Sequence, residues 1–135
     1  MVDIKEVDNA RKKRILIVED APYMREMLLE MLKIAKDKYE VVGFATNGKE
    51  AVKRYKELKP DLVTMDLVME EMDGIEAIRK IKKEDPNALI LVITAMDTPD
   101  TRNMAMEAGA DEYLWKPFTI NNLLDVLEAM FRKRQ

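Results

Sequence analysis

The sequence predicts an α/β domain with a parallel five-stranded sheet between two layers of helices, and two observations carry that prediction. Short, continuous, β-branched runs recur along the chain, as expected of strands covered on both faces. Between the runs, apolar residues fall at i, i+3, i+4 and i+7, the stripe of a helix with one buried side. Strict strand–helix alternation over short connections makes a parallel sheet, whose ligands bind beyond the carboxyl ends of the strands.

Taken in order, residues 1–12 are polar and without sustained period, so they read as a flexible N-terminal arm ahead of a single domain over 13–135. The first strand is Ile15-Leu16-Ile17-Val18. Met24, Met27, Leu28, Met31, Leu32 and Ala35 then form one helical stripe. Further strands are expected at Glu40 to Phe44, Asp61 to Met65, Ala88 to Ile93 and Glu112 to Trp115. Asn47 with Glu50 and Asp73 with Glu76 have capping-box spacing, and Thr98-Pro99 puts proline at a first helical position. Ile120, Leu123, Leu124, Leu127, Met130 and Phe131 mark the last helix.

Composition removes whole classes of chemistry. The 135 residues include no cysteine and no histidine, which excludes disulfides, thiolate nucleophiles, histidine bases and histidine metal ligands. No apolar run approaches the roughly 20 residues needed to span a bilayer, and no signal-peptide core is evident, so a cytoplasmic protein without membrane insertion is expected. A net charge of −3 creates no broad field for nucleic acid. Two basic clusters, Arg11-Lys12-Lys13-Arg14 and Arg132-Lys133-Arg134, are either solvated ends or partner-docking elements.

The strand ends hold the remaining polar chemistry. The first strand ends in Glu19-Asp20 and the third in Asp66, so adjacent parallel strands would gather three carboxylates at one sheet edge. Such a cluster is costly unless a cation offsets it, and hard oxygen donors suit Mg²⁺. Thr94 ends the fourth strand and Lys116 follows the fifth, adding a hydroxyl and an ammonium to the same edge. Together these residues suit Mg²⁺-assisted acceptance of a phosphoryl group.

At this point the chain resembles the receiver domain of two-component response regulators, specifically the chemotaxis-type single-domain receivers. The resemblance covers about residues 14–131 and rests on LIVED at 16–20, VTMDLVMEEMDG at 63–74, ITA at 93–95 and GADEYLWKPF at 109–118. It implies a flavodoxin-like (βα)5 fold with strand order 2-1-3-4-5. It also implies that Asp66 is the phosphoacceptor, and that Glu19, Asp20, Asp66 and the Val68 backbone carbonyl hold Mg²⁺. Thr94 and Lys116 would engage the phosphoryl group, Lys116-Pro117 would be a cis bond, and Tyr113 would be the switch aromatic. The fourth helix, fifth strand and fifth helix would present the result to a target protein.

Some positions depart from that pattern. Glu70 stands where the family usually has proline. Val68 and Met96, each two residues beyond a site residue, are apolar where side chains tune hydrolysis, which implies a long-lived acyl phosphate. Met104 and Met106 lie two apart on a helix and cannot both point inward, so one is expected on the partner surface.

Competing classes fare worse. An aspartyl-phosphate phosphatase needs a second Asp where Val68 stands, and a nucleotide carrier needs a phosphate-cradling loop where Glu19-Asp20 offers repulsion. The chain is therefore read as a signalling phosphoacceptor rather than an enzyme, acting as a monomer or a phosphorylation-dependent dimer. The alternatives are a receiver cut from a longer transcription-factor regulator, or a phosphate-independent adaptor. Without histidine of its own, it would receive its phosphoryl group from a partner histidine kinase.

Overall fold

The computed structural model describes residues 11–69 and 73–134. Strands β1 (Lys13–Val18), β2 (Tyr39–Ala45), β3 (Leu62–Met65), β4 (Ile90–Thr94) and β5 (Glu112–Trp115) alternate with helices α1 (Pro22–Ile34), α2 (Gly48–Leu58), α3 (Gly74–Glu84), α4 (Pro99–Ala108) and α5 (Ile120–Arg132). All strand pairs are parallel, in the order β2-β1-β3-β4-β5. The fold is the flavodoxin-like one anticipated above, and the expected arm over residues 1–12 falls almost wholly outside the described residues.

Side-chain alternation along the strands divides the core in two. Ile15 and Ile17 of β1, with Leu62, Leu91 and Ile93, pack against Met24, Leu28 and Leu32 of α1 and Leu123, Leu127 and Met130 of α5. Leu16 and Val18, with Val63, Met65, Ile90 and Val92, face Ala51 and Tyr55 of α2, Ala77, Ile78 and Ile81 of α3, and Ala105 and Ala108 of α4. Apart from Thr64 in β3, the central strands are apolar where both faces are covered, which leaves mainly their ends for polar chemistry.

The helix starts follow the anticipated caps, with a difference. Asn47 accepts from Glu50 N at 2.7 Å and Asp73 from Glu76 N at 2.8 Å. Glu50 reaches back to Thr46 N rather than to Asn47, while Glu76 lies 4.0 Å from Lys80, so each box is half formed. The reciprocal box is at Thr119 and Asn122, where each side chain accepts from the other's backbone N at 3.0 Å.

Met104 and Met106 do not both point inward, as expected, and in fact neither does, at 48% and 38% exposed. The inward line of α4 runs through Ala105 and Ala108. At about 100° per residue the two methionines flank Ala105 on either side, so both lie lateral to the core. The two basic clusters meet at the end of the sheet opposite Glu19, where Arg11, Lys13 and Arg132 line one hollow. Lys13 Nζ there lies 5.4 Å from the Phe131 ring centroid.

Candidate functional site

Parallel pairing of β1 with β3 ends in register at Val18 and Met65, so the next residues of each strand emerge side by side. Glu19 N donates to Ala45 O at 2.9 Å and Asp66 N to Val18 O at 3.0 Å, which extends the ladder one step and anchors both acids. Carboxylate oxygens of Glu19, Asp20 and Asp66 all lie within 4.8 Å of one another. Glu19 and Asp66 are buried, whereas Asp20 faces solvent.

Lys116 closes the site from β5. Its Nζ lies 2.5 Å from Glu19 Oε1 and 3.5 Å from Asp66 Oδ2. The Lys116 backbone N–H donates to Thr94 O at 2.9 Å, and the following Lys116-Pro117 peptide is cis. Burial pushes the Glu19 carboxyl above its ordinary range; the Lys116 hydrogen bond pulls it down, and Asp66 pushes it up again. Two buried acids thus share one ammonium.

Thr94 is fully buried, and its hydroxyl accepts from Met96 N at 3.4 Å instead of touching the acids. The Met96 carbonyl in turn accepts from the Tyr113 hydroxyl at 2.5 Å. Tyr113 is buried, with its ring 5.7 Å from Trp115 in an edge-on arrangement. Thr94 and Tyr113 are therefore linked through one residue of the β4–α4 loop. Val68 N donates to Asp66 Oδ1 at 3.4 Å, and the Val68 side chain is exposed. Glu70 and Met72 lie outside the described residues.

Two contributors were not singled out from the sequence as site residues. Gly74 starts α3 against the backbone of the site. A Cβ there would collide with the Asp66 carbonyl and sit 2.8 Å from Leu67 Cα. Only the DG pair at 73–74 hinted at it. Arg25 donates from its guanidinium to the carbonyls of Glu19 and Asp20, and nothing in a helix-face arginine announces that.

The response regulator receiver domain family matches residues 15–128. The chain belongs to this family. It is 52% identical over 118 residues to the chemotaxis protein CheY of Thermotoga maritima, covering 87% of this chain and 97% of that protein. The chemotaxis protein CheY of Bacillus subtilis is 46% identical over 114 residues, with 84% and 93% covered. Among solved structures, this receiver superposes with a TM-score of 0.86 on a chain of the CheX-CheY-BeF3-Mg complex from Borrelia burgdorferi. That match is 27% identical and covers 93% of each chain. A LuxR-family response regulator from Aurantimonas gives 0.85 at 34% identity, covering 91% of this receiver and 87% of that chain. The high coverage of the CheY relatives supports a chemotaxis-type receiver.

Proposed function

We propose that Asp66 accepts a phosphoryl group from a phosphohistidine on a separate kinase, and that the receiver then changes its affinity for a protein target. The observation that carries this reading is the shared lysine. Lys116 reaches both Glu19 and Asp66, so the nucleophile, its acidic neighbours and a phosphate-compatible cation meet at one strand edge. Three hard carboxylate donors with one solvent-facing member fit Mg²⁺. Glu19, Asp20, Asp66 and the Val68 backbone carbonyl would hold the ion, which when bound neutralises charge on the phosphoryl oxygens.

The chain's own residues carry the transfer. An Asp66 oxygen forms a bond to phosphorus as the phosphorus–nitrogen bond breaks, and the imidazole departs with that electron pair and takes up a proton. Lys116 moves its ammonium from the acids to a phosphoryl oxygen. The Thr94 hydroxyl leaves Met96 N and donates to another. Because the Met96 carbonyl holds Tyr113, displacement of that loop frees the tyrosine and shifts the population of its rotamers.

The affected face is α4–β5–α5, where Met96, Met104, Met106 and Trp115 are exposed and suit an adaptable protein interface. Among the described residues no helix is long and apolar enough to cross a membrane. We place the protein in the cytoplasm, where its kinase would supply the phosphoryl group. Incubation with a small acyl phosphate and Mg²⁺, followed by intact mass measurement, tests the reading. Wild type should gain one phosphoryl group and Asp66→Asn none. A modification that persists in Asp66→Asn, or fails in wild type, overturns it.

A further inference from the structure

The acidic turn between β1 and α1 has few ordinary means of holding its shape. Ala21 caps α1 with no side-chain hydrogen bond, and Pro22 follows it with no N–H to offer. Asp20 is exposed, and its carboxylate accepts no hydrogen bond from the described residues, so its direction depends on the backbone beneath it.

That backbone converges on one residue. Arg25 Nη1 donates to Glu19 O at 2.9 Å and to Asp20 O at 3.1 Å, while Arg25 N donates to Ala21 O at 3.1 Å. Three consecutive carbonyls thus end on Arg25. The Ala21 N–H is thereby turned toward Glu19 Oε2, at 3.2 Å, which helps orient the buried acid. A guanidinium on neutral carbonyls makes a strong, charge-assisted bond while leaving the carboxylates free for other partners.

We propose that Arg25 is the positioning residue of the divalent-cation site: it fixes the peptide planes of residues 19–21 so that the Glu19 and Asp20 carboxylates converge with Asp66. This rests on the reading that the acidic cluster holds Mg²⁺. The role can be separated from simple electrostatics by sign. A positive charge near the acids repels a divalent cation, so by Coulomb's law alone its removal tightens Mg²⁺ binding. Loss of positioning weakens it.

Calorimetric titration of the full chain with Mg²⁺ reads the difference directly. Residues that orient metal ligands typically change affinity by about 10–100-fold, so Arg25→Ala should bind Mg²⁺ at least about tenfold more weakly than wild type. Arg25→Lys should recover most of that loss, because both side-chain bonds come from a single nitrogen and a lysine ammonium carries three donors. Arg54→Ala, which removes the same charge from the exposed face of α2, should leave the affinity unchanged. Thermal melts of each variant establish that the titrated protein is folded. If Arg25→Ala does not fold, Arg25→Gln against Arg25→Lys decides: weaker binding by Gln supports positioning, and equal or tighter binding overturns it. Equal or tighter binding by folded Arg25→Ala likewise overturns it. Failure of wild type to bind Mg²⁺ overturns the cation-site reading itself, and this inference with it.

Discussion

Thr64 sits in the centre of β3, opposite Ile17 of β1 and Leu91 of β4, and its side chain enters the α1/α5 half of the core. It is 2% exposed, and its hydroxyl oxygen has no hydrogen-bond partner among the described residues. In the unfolded chain water satisfies that hydroxyl, so folding forfeits its hydration, at about 1–3 kcal/mol. Valine has nearly the same shape and the same β-branched preference for a strand. Its extra methyl adds up to ~0.8 kcal/mol of burial. Thr64→Val should therefore raise the unfolding free energy by about 2 kcal/mol, which for a domain of this size raises Tm by roughly 8 °C.

Urea unfolding in Mg²⁺-free buffer measures the change without a ligand contribution, and an unchanged m-value would place the effect in stability alone. Thr64→Ser is the control: it keeps the hydroxyl, loses the methyl and should fall below wild type by about 1 kcal/mol. A neutral or destabilised Thr64→Val would refute the reasoning, since it would mean the hydroxyl has a partner in the folded protein. Asp66 should accept phosphoryl groups equally in wild type and Thr64→Val, because Thr64 points into the core.

Three further outcomes are expected. Gly74→Ala gains up to ~1 kcal/mol of helix propensity but must push back the Asp66–Leu67 backbone, at about 1–3 kcal/mol, so it should lower Tm and slow phosphorylation of Asp66 together. Tyr55→Phe removes a 2.6 Å hydrogen bond to Asp85 and should cost about 1–2 kcal/mol at neutral pH. Burial first, and then Asp85, raise the Tyr55 pKa in the folded state, so its contribution is present below the ordinary tyrosine value of about 10 and is lost as pH rises through the higher folded value. The stability difference between wild type and Tyr55→Phe should shrink above about pH 10, as followed by urea midpoints. Val68→Asn places an amide beside Asp66 that can orient water and should shorten the acyl-phosphate lifetime by about an order of magnitude, as timed by loss of label. A lifetime no shorter than wild type would count against the idea that Val68 protects the phosphoryl group.

The parts of the fold legible in the sequence are those set by period. β1 reads as a strand because Ile15 to Val18 is apolar at every position, and it is apolar at every position because both sheet faces are covered. Strand ends are where such runs stop, so Glu19, Asp20 and Asp66 could be brought together before any coordinate was known. Lys116 was legible for the same reason, although its contact with Glu19 was not, since side-chain reach is absent from spacing. Contacts to backbone carbonyls leave no pattern at all: Arg25 looks like any charge on a helix face. The Thr119 box escaped because Asn122 stands where glutamate or glutamine is usual, and the shorter amide still reaches. The spacing of Met104 and Met106 showed that they could not both be buried, but not that small Ala105 and Ala108 would mark the inward side instead.

The shared lysine also determines how substitutions at the site should be interpreted. Glu19 and Asp66 are both buried, and Lys116 is the cation within 4.0 Å of each among the described residues. Removing one partner of a buried ion pair typically costs about 3–5 kcal/mol, because the remaining charge is left uncompensated in a poorly solvated place. Here two acids would be left, and repulsion between them already contributes to the raised Glu19 carboxyl. A loss of phosphoryl acceptance in Lys116→Ala therefore has two sources, a missing contact to the phosphoryl group and a site that no longer holds its shape. Asp66→Asn perturbs the scaffold less, because it relieves the repulsion with Glu19 while it removes the proposed nucleophile, which is also a proposed Mg²⁺ ligand. A folded, more stable and inactive variant therefore places the loss in the chemistry or the metal site and not in the fold.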